Sequence, residues 1–200
     1  MHPEYIPIKP VTINDTEIIT TESYKYLGKI LSTELNPDEQ WSQLSKKINS
    51  NIFLIKTMKN LGFKNNILIT IVKSLILSHI ISNSTILCAA SSSAKNEMEN
   101  IMNRIIKILN ISQESRKLHN LTTIQELIDT NCIKILTKIL ENPEHPLTKS
   151  ITKPQESRHS FKFNIEKSRT TKYEKSFLHQ YLTKIESSNR TQTQLSSNQF

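Results

Sequence analysis

The chain has 200 residues, of which 36% are hydrophobic and only two, Gly28 and Gly62, are glycine. That scarcity excludes a glycine-rich phosphate loop and the nucleotide folds built on one. The net charge of +8 is concentrated late: Lys149 to Arg190 holds ten Lys or Arg against four Glu, or +6, a basic excess that suits nucleic acid or an acidic partner as well as it suits a solubilising tail.

Residues 10 to 20, PVTINDTEIIT, predict two short strands around Asn14-Asp15, a dipeptide that tolerates the positive φ of a tight turn. The next stretch, YKYLGKIL from Tyr24 to Leu31, alternates Tyr24, Tyr26, Gly28 and Ile30 with Lys25, Leu27, Lys29 and Leu31. This is the two-residue period of an extended strand. Gly28 inside it suggests a bulge or a close approach of another backbone. Together these strands should form one small sheet.

Asn36-Pro37-Asp38-Glu39 is a helix start: a capping side chain, proline at the first helical position, then acids at the positive end. Apolar residues recur at Trp41, Leu44, Ile48, Ile52, Ile55 and Met58 until Gly62 offers a stop. The opposite face carries Lys46, Lys47, Lys56 and Lys59. From Asn65 to Ile81 the run is almost wholly apolar, with Thr70, Lys73, Ser74 and Ser78 as a narrow polar stripe, which predicts a central helix with Leu75 in the core. His79 has no second ligand near it and reads as a tolerated or hydrogen-bonded histidine.

After Ser91-Ser92-Ser93, a third helix is predicted from the stripe Met98, Ile101, Met102, Ile105, Ile106 and Leu109, with Arg104 and Lys107 facing away. Thr123-Ile124-Gln125-Glu126 fits a capping box, and its helix should bury Ile124, Leu127, Ile128, Cys132, Ile135, Leu136 and Ile139 before Asn142-Pro143 ends it. Cys132 falls within that stripe and reads as a small core residue. Cys88 and Cys132 are too few and too far apart for a zinc site or a disulfide framework, so no metal, no cofactor and a reducing compartment are expected. Beyond Pro146 the composition turns polar. Only Tyr173 to Ile185 keeps a weak helical pattern, and the end, RTQTQLSSNQF, is expected to be disordered.

The chain therefore reads as mainly α: a small N-terminal antiparallel β-hairpin or sheet over 1–35, a helical bundle over 36–147, and a basic, partly disordered tail over 148–200. The longest apolar run, Ile67 to Ile81, is interrupted by Lys73, Ser74 and His79, and MHPEYIPIKP lacks a secretory core, so a soluble intracellular protein without a membrane partner is expected.

The order of parts resembles a known family. YKYLGKIL, followed closely by an amphipathic helix, is similar to the Tyr-Leu-Gly hairpin of reverse transcriptases from non-LTR (LINE-type) retrotransposons. SLILSHIISNSTIL, Ser74 to Leu87, resembles that family's thumb region, although Ile81 and Ser82 stand where the family usually has Tyr and often Gly. Leu121 to Leu147 is similar to a later helical element, and SRTTKYEKSFLHQYLTKI resembles the basic closing segment. The likeness covers roughly residues 5 to 185. It implies a primer-grip hairpin at Tyr26, Leu27 and Gly28, a thumb-like bundle, and a missing palm and fingers segment as partner.

The family's polymerases need paired palm aspartates to hold two divalent ions. This chain has only Asp15, Asp38 and Asp129, none adjacent to another, so a non-catalytic fragment of such an enzyme is expected. Lys46 and Lys47 are then either phosphate contacts or a solvated face, and Tyr26, Leu27 and Gly28 either a grip or a strand glycine between core residues. The competing reading is a helical protein-interaction module, which exposed Ile or Leu on the hairpin would favour. No acid pair, metal cluster or Ser/His/Asp constellation supports an independent enzyme.

Overall fold

In the computed structural model the described residues are 11–13, 16–18, 21–34, 36–151, 163, 165 and 168–197. Their contacts divide them into two units, one ending at Asn36 and the other beginning at Pro37.

The first unit holds β1 (Val11–Ile13), β2 (Thr16–Ile18), β3 (Ser23–Tyr26) and β4 (Lys29–Ser32). β1 pairs antiparallel with β2, Ile13 opposite Thr16, which leaves two connecting residues; Asn14 and Asp15 themselves lie outside the described residues. β3 pairs antiparallel with β4, Tyr26 opposite Lys29. The single sheet expected from sequence is instead two separate two-stranded ladders. The long strand expected from Tyr24 to Leu31 is likewise two strands, because it turns at Leu27-Gly28.

The second unit is helical. α1 (Pro37–Asn60) begins at the proline, with Asp38 and Glu39 in its first turn, where carboxylates meet the positive end of the helix. Its buried stripe of Trp41, Leu44, Ile48, Ile52 and Ile55 follows the predicted spacing. The helix closes in a Schellman motif: the Phe63 N–H donates to the Met58 carbonyl at 3.2 Å and the Gly62 N–H to that of Lys59 at 3.0 Å. Gly62 has φ +84°, which a glycine adopts without steric cost.

α2 (Asn65–Val72), a π-helical turn (Lys73–Leu77) and α3 (Ser78–Ser82) follow without a break. The Thr70 hydroxyl donates to the Asn66 carbonyl, Ser74 to Thr70 and Ile71, and Ser78 to Ser74. Back-bonding of this kind bends and loosens a helix, and here it flanks the wide turn, where the Ser78 N–H reaches the Lys73 carbonyl. The Asn51 amide donates to the Leu75 carbonyl at 3.0 Å and ties this turn to α1. Leu75 itself is half-buried; Ile76 and Leu77 occupy the core position expected for it.

α4 (Ser84–Leu87), α5 (Ser92–Leu109), α6 (Gln113–Leu118), α7 (Ile124–Leu140), α8 (Pro146–Ile151), α9 (Thr171–Glu174) and α10 (Phe177–Ser197) complete the order. The capping box is formed: Glu126 N–H donates to the Thr123 hydroxyl at 3.2 Å, and Thr123 N–H to the Glu126 carboxylate at 3.1 Å. α5 ends on Asn110 at φ +50°, since asparagine tolerates the left-handed region better than most residues.

α1 packs on α2, α4 and α5, and α7 on α3, α4, α5, α8 and α10. Residues read from composition as a tail join the same core: Ile151, Phe163, Tyr181 and Leu182 are buried, with Phe177, Leu178 and Ile185 half-buried against them. The weak Phe177, Tyr181, Ile185 stripe is thus a core face, and α10 continues beyond it. Asn65–Ser82 is the one described stretch long and apolar enough to cross a bilayer by length and composition. Its Leu68, Ile69, Val72, Ile76, Leu77 and Ile80 are buried in the bundle, while Ile67 and Ile81 are exposed.

Candidate nucleic-acid interface

The hairpin presents Tyr26, Leu27 and Gly28 at its tip. Leu27 and Gly28 have φ of +47° and +79°, and positive φ at both central residues is the requirement of a type I′ turn, whose twist matches that of paired strands. Gly28 is neither a bulge nor a close approach: an added Cβ would meet nothing within 4 Å. The glycine is required by its backbone angle. Leu27 meets the same demand less comfortably, because a side chain in the left-handed region costs roughly 1–2 kcal/mol.

Turning there reassigns the faces. Tyr24 opposes Leu31 and Tyr26 opposes Lys29, so these four share one face, while Lys25 and Ile30 share the other. Neither Tyr26 nor Leu27 is a core residue. Leu27 is 83% exposed, and Tyr24, Tyr26 and Leu31 are each more than half exposed.

On the second unit, Lys46 and Lys47 both lie exposed on α1. Lys46 stands opposite the buried stripe, and Lys47 is about 100° further round, at the stripe's flank. At about 100° per residue, positions seven apart stay close in angle, which aligns Lys46 with Phe53 and Lys47 with Leu54. Phe53 is 73% exposed and Leu54 is also open. Lys56 is exposed beside them, whereas Lys59 is half-buried and donates to the Asn65 side chain at 2.6 Å, removing it from the open lysine face. Leu61, Phe63 and Ile67, around the α1–α2 turn, are exposed too. Sequence reasoning missed these apolar residues because it followed only the three-and-four spacing of the buried face. Their signal was present: Phe53-Leu54 interrupts that spacing.

The sequence here carries one sign of charge, and the carboxylate brought in by α5, Glu97, accepts the Trp41 indole N–H at 2.7 Å on the buried side of α1. Between Gln40 and Asn96 the chain has seven lysines and no Asp or Glu. Arg104 reaches across from α5, donating to the Asn49 side chain at 2.9 Å. Neither Lys46 nor Lys47 has an ion-pair partner among the described residues.

A second cluster lies where α4, α7 and α10 meet, and no local pattern in the sequence announces it. The buried thiols of Cys88 and Cys132 interact with each other, and the Cys88 thiol donates to the Thr85 carbonyl at 3.3 Å. The contact between the thiols, with burial, holds Cys88 protonated by raising its pKa. The same contact, aided by Tyr181 and Ser84, lowers that of Cys132 against the opposing effect of burial. Tyr181 donates its hydroxyl to Asp129, whose carboxylate also receives Gln125 at 3.0 Å and Lys184 at 3.1 Å. Burial raises the Asp129 pKa, but these hydrogen bonds and the Lys184 charge outweigh it, and the net shift is downward. The Lys184 ammonium also lies 4.6 Å above the Tyr181 ring. The Tyr181 and Lys184 contacts to Asp129 join α10 to α7, so the cluster acts as an internal fastener.

The remaining aspartate within the described residues, Asp38, accepts the Ser91 N–H at 2.9 Å and links the start of α1 to the start of α5. Among the described residues no group of three or more His, Cys, Asp or Glu is arranged to hold a metal ion. Comparison with family models, curated proteins and solved structures finds no match.

Proposed function

We propose that this chain is a non-catalytic relative of the reverse-transcriptase segment it resembles in non-LTR retrotransposons, and that it binds nucleic acid weakly and without sequence preference through the sugar-phosphate backbone. The observation that carries the reading is the exposed α1 face: Lys46 and Lys47 stand open to solvent within a stretch from Gln40 to Asn96 that has no carboxylate. Cations without internal counter-charges are suited to phosphates, and phosphate contacts position a protein without reading bases. The non-catalytic part of the reading is supported by the aspartates. Asp38 and Asp129 are occupied in joining helices, not paired with each other.

The test is fluorescence anisotropy with single-stranded and duplex probes at increasing salt. With about three or four phosphate contacts, log K against log salt should have a slope on the order of −3, and replacing Lys46 and Lys47 together by Ala should reduce its magnitude by nearly two. Binding that ignores salt, or no binding at low salt, refutes the reading.

A second reading has its own observation. Leu27 and Leu31 are exposed on the hairpin, and open apolar surface marks partner contacts. A protein-interaction module would use that hairpin, and its binding would survive loss of Lys46 and Lys47.

A further inference from the structure

We infer that the outer face of α1 is a platform for single-stranded nucleic acid, on which Phe53 stacks against a base while Lys46, Lys47 and Lys56 hold the adjoining phosphates. The inference rests on the nucleic-acid reading above and adds to it the strandedness of the ligand and an aromatic contact.

Three observations carry it. Phe53 is 73% exposed, an unusual position for a large ring in the middle of a helix whose other face is fully used by the core. Its neighbours on the same face are cations, with Lys46 two turns before it and Lys56 one turn after it. The face is also uninterrupted by negative charge, since no Asp or Glu occurs between Gln40 and Asn96. Exposed aromatic rings set among lysines are the means by which proteins bind single strands without sequence preference. Every base offers a flat face, and the cations follow the backbone.

The alternative occupant of an apolar, basic surface is an anionic bilayer, and Leu54 and Leu61 beside Phe53 would suit one. The arrangement favours the strand. Lys46, Phe53 and Lys56 follow one another along α1, about 15 Å from first to last at 1.5 Å per residue, in the order cation, ring, cation. A linear polyanion can follow such a line. A bilayer would engage the exposed Leu61, Phe63 and Ile67, which gather around the α1–α2 turn past the end of that line. A duplex is disfavoured as well, because its bases are stacked internally and offer Phe53 no free face.

The experiment uses the full chain and three fluorescent probes of roughly twenty nucleotides: oligothymidine, a matched duplex, and an abasic strand that keeps the backbone. A fourth arm measures sedimentation with phosphatidylserine vesicles. Oligothymidine should bind more tightly than either other probe. Phe53→Ala should weaken it by about 5-fold to 100-fold while leaving the abasic strand unaffected. Phe53→Trp should retain binding and Phe53→Leu should not, since only a flat ring stacks. Circular dichroism of each variant should match the parent, as the side chain is on the surface.

Equal affinity for all three nucleic-acid probes, or Phe53→Leu binding like the parent, overturns the inference and leaves backbone binding standing. Failure of every nucleic-acid probe at low salt overturns backbone binding too. Vesicle binding lost in Phe53→Ala, with no oligonucleotide binding, assigns the face to a membrane instead.

Discussion

Replacing Tyr181 by Ala tests whether the C-terminal residues belong to the fold. Tyr181 is fully buried between α10 and α7, and truncating a large buried aromatic costs about 3–5 kcal/mol through lost burial and the cavity left behind. The substitution also removes the hydroxyl that donates to Asp129. Tyr181→Phe isolates that part, at about 1.5–3 kcal/mol for a hydrogen bond to a charged acceptor. Against a total stability of roughly 5–15 kcal/mol, the Ala variant should be severely weakened, and its melting temperature should fall by on the order of 10 °C. Thermal and urea melts followed by circular dichroism measure both variants. If Tyr181→Ala melts with the parent, α10 is not docked on α7 and the bundle ends earlier. The same reasoning makes truncation after Leu147 unsuitable for removing charge alone, because it also strips Phe163, Tyr181 and Leu182 from the core.

Leu27→Asn should stabilise the hairpin by up to about 1 kcal/mol, because asparagine accepts positive φ at lower cost; slower amide exchange in Ser23–Ser32 would show it, and faster exchange would contradict the turn assignment. Asp129 has its carboxyl held below the usual range, so its contribution is complete above the unfolded value of about 3.9 and is lost as pH falls through the lower folded value. Asp129→Asn should therefore flatten the loss of stability below about pH 4, and a parallel acid profile would show that the carboxylate is not engaged. Ile76→Asp should unfold the bundle by burying an unpaired charge, whereas Leu75→Asp, at a half-buried site, should cost far less; equal damage from the two would mean that the wide turn is misplaced.

Helices with one strong apolar stripe were legible in sequence, because α1, α5 and α7 each obey a period that burial imposes. Their ends were legible as well, through Pro37, Gly62 and the Thr123–Glu126 box, since caps are local chemistry. The hairpin was misread for a physical reason. Alternation at Tyr24 to Leu31 has the same period whether the chain runs straight or turns by two residues, and Leu in the first turn position conceals what Asn would have announced. The Cys88–Cys132 pair and the Asp129–Tyr181–Lys184 cluster depend on helices far apart in sequence, so no local pattern could reveal them. The exposed lysines of α1 were visible as a face. Phe53 was signalled only by its break in the three-and-four spacing of the buried face.

The wide turn at Lys73–Leu77 changes how this chain can tolerate loss of a residue. In a regular helix at about 100° per residue, the buried triplets Leu68, Ile69, Val72 and Ile76, Leu77, Ile80 would point in directions well apart. One residue taken up by the broad turn brings them back to a common side. A single deletion at Lys73, Ser74 or Leu75 would convert that turn to ordinary helix and leave both triplets facing the core, at the cost of the Asn51 tie to the Leu75 carbonyl. A single deletion in α2 or α3 has no such slack to draw on: it would swing one triplet out toward water. Length variation in this helix is thus confined by geometry to the three positions of the wide turn that precede Ile76.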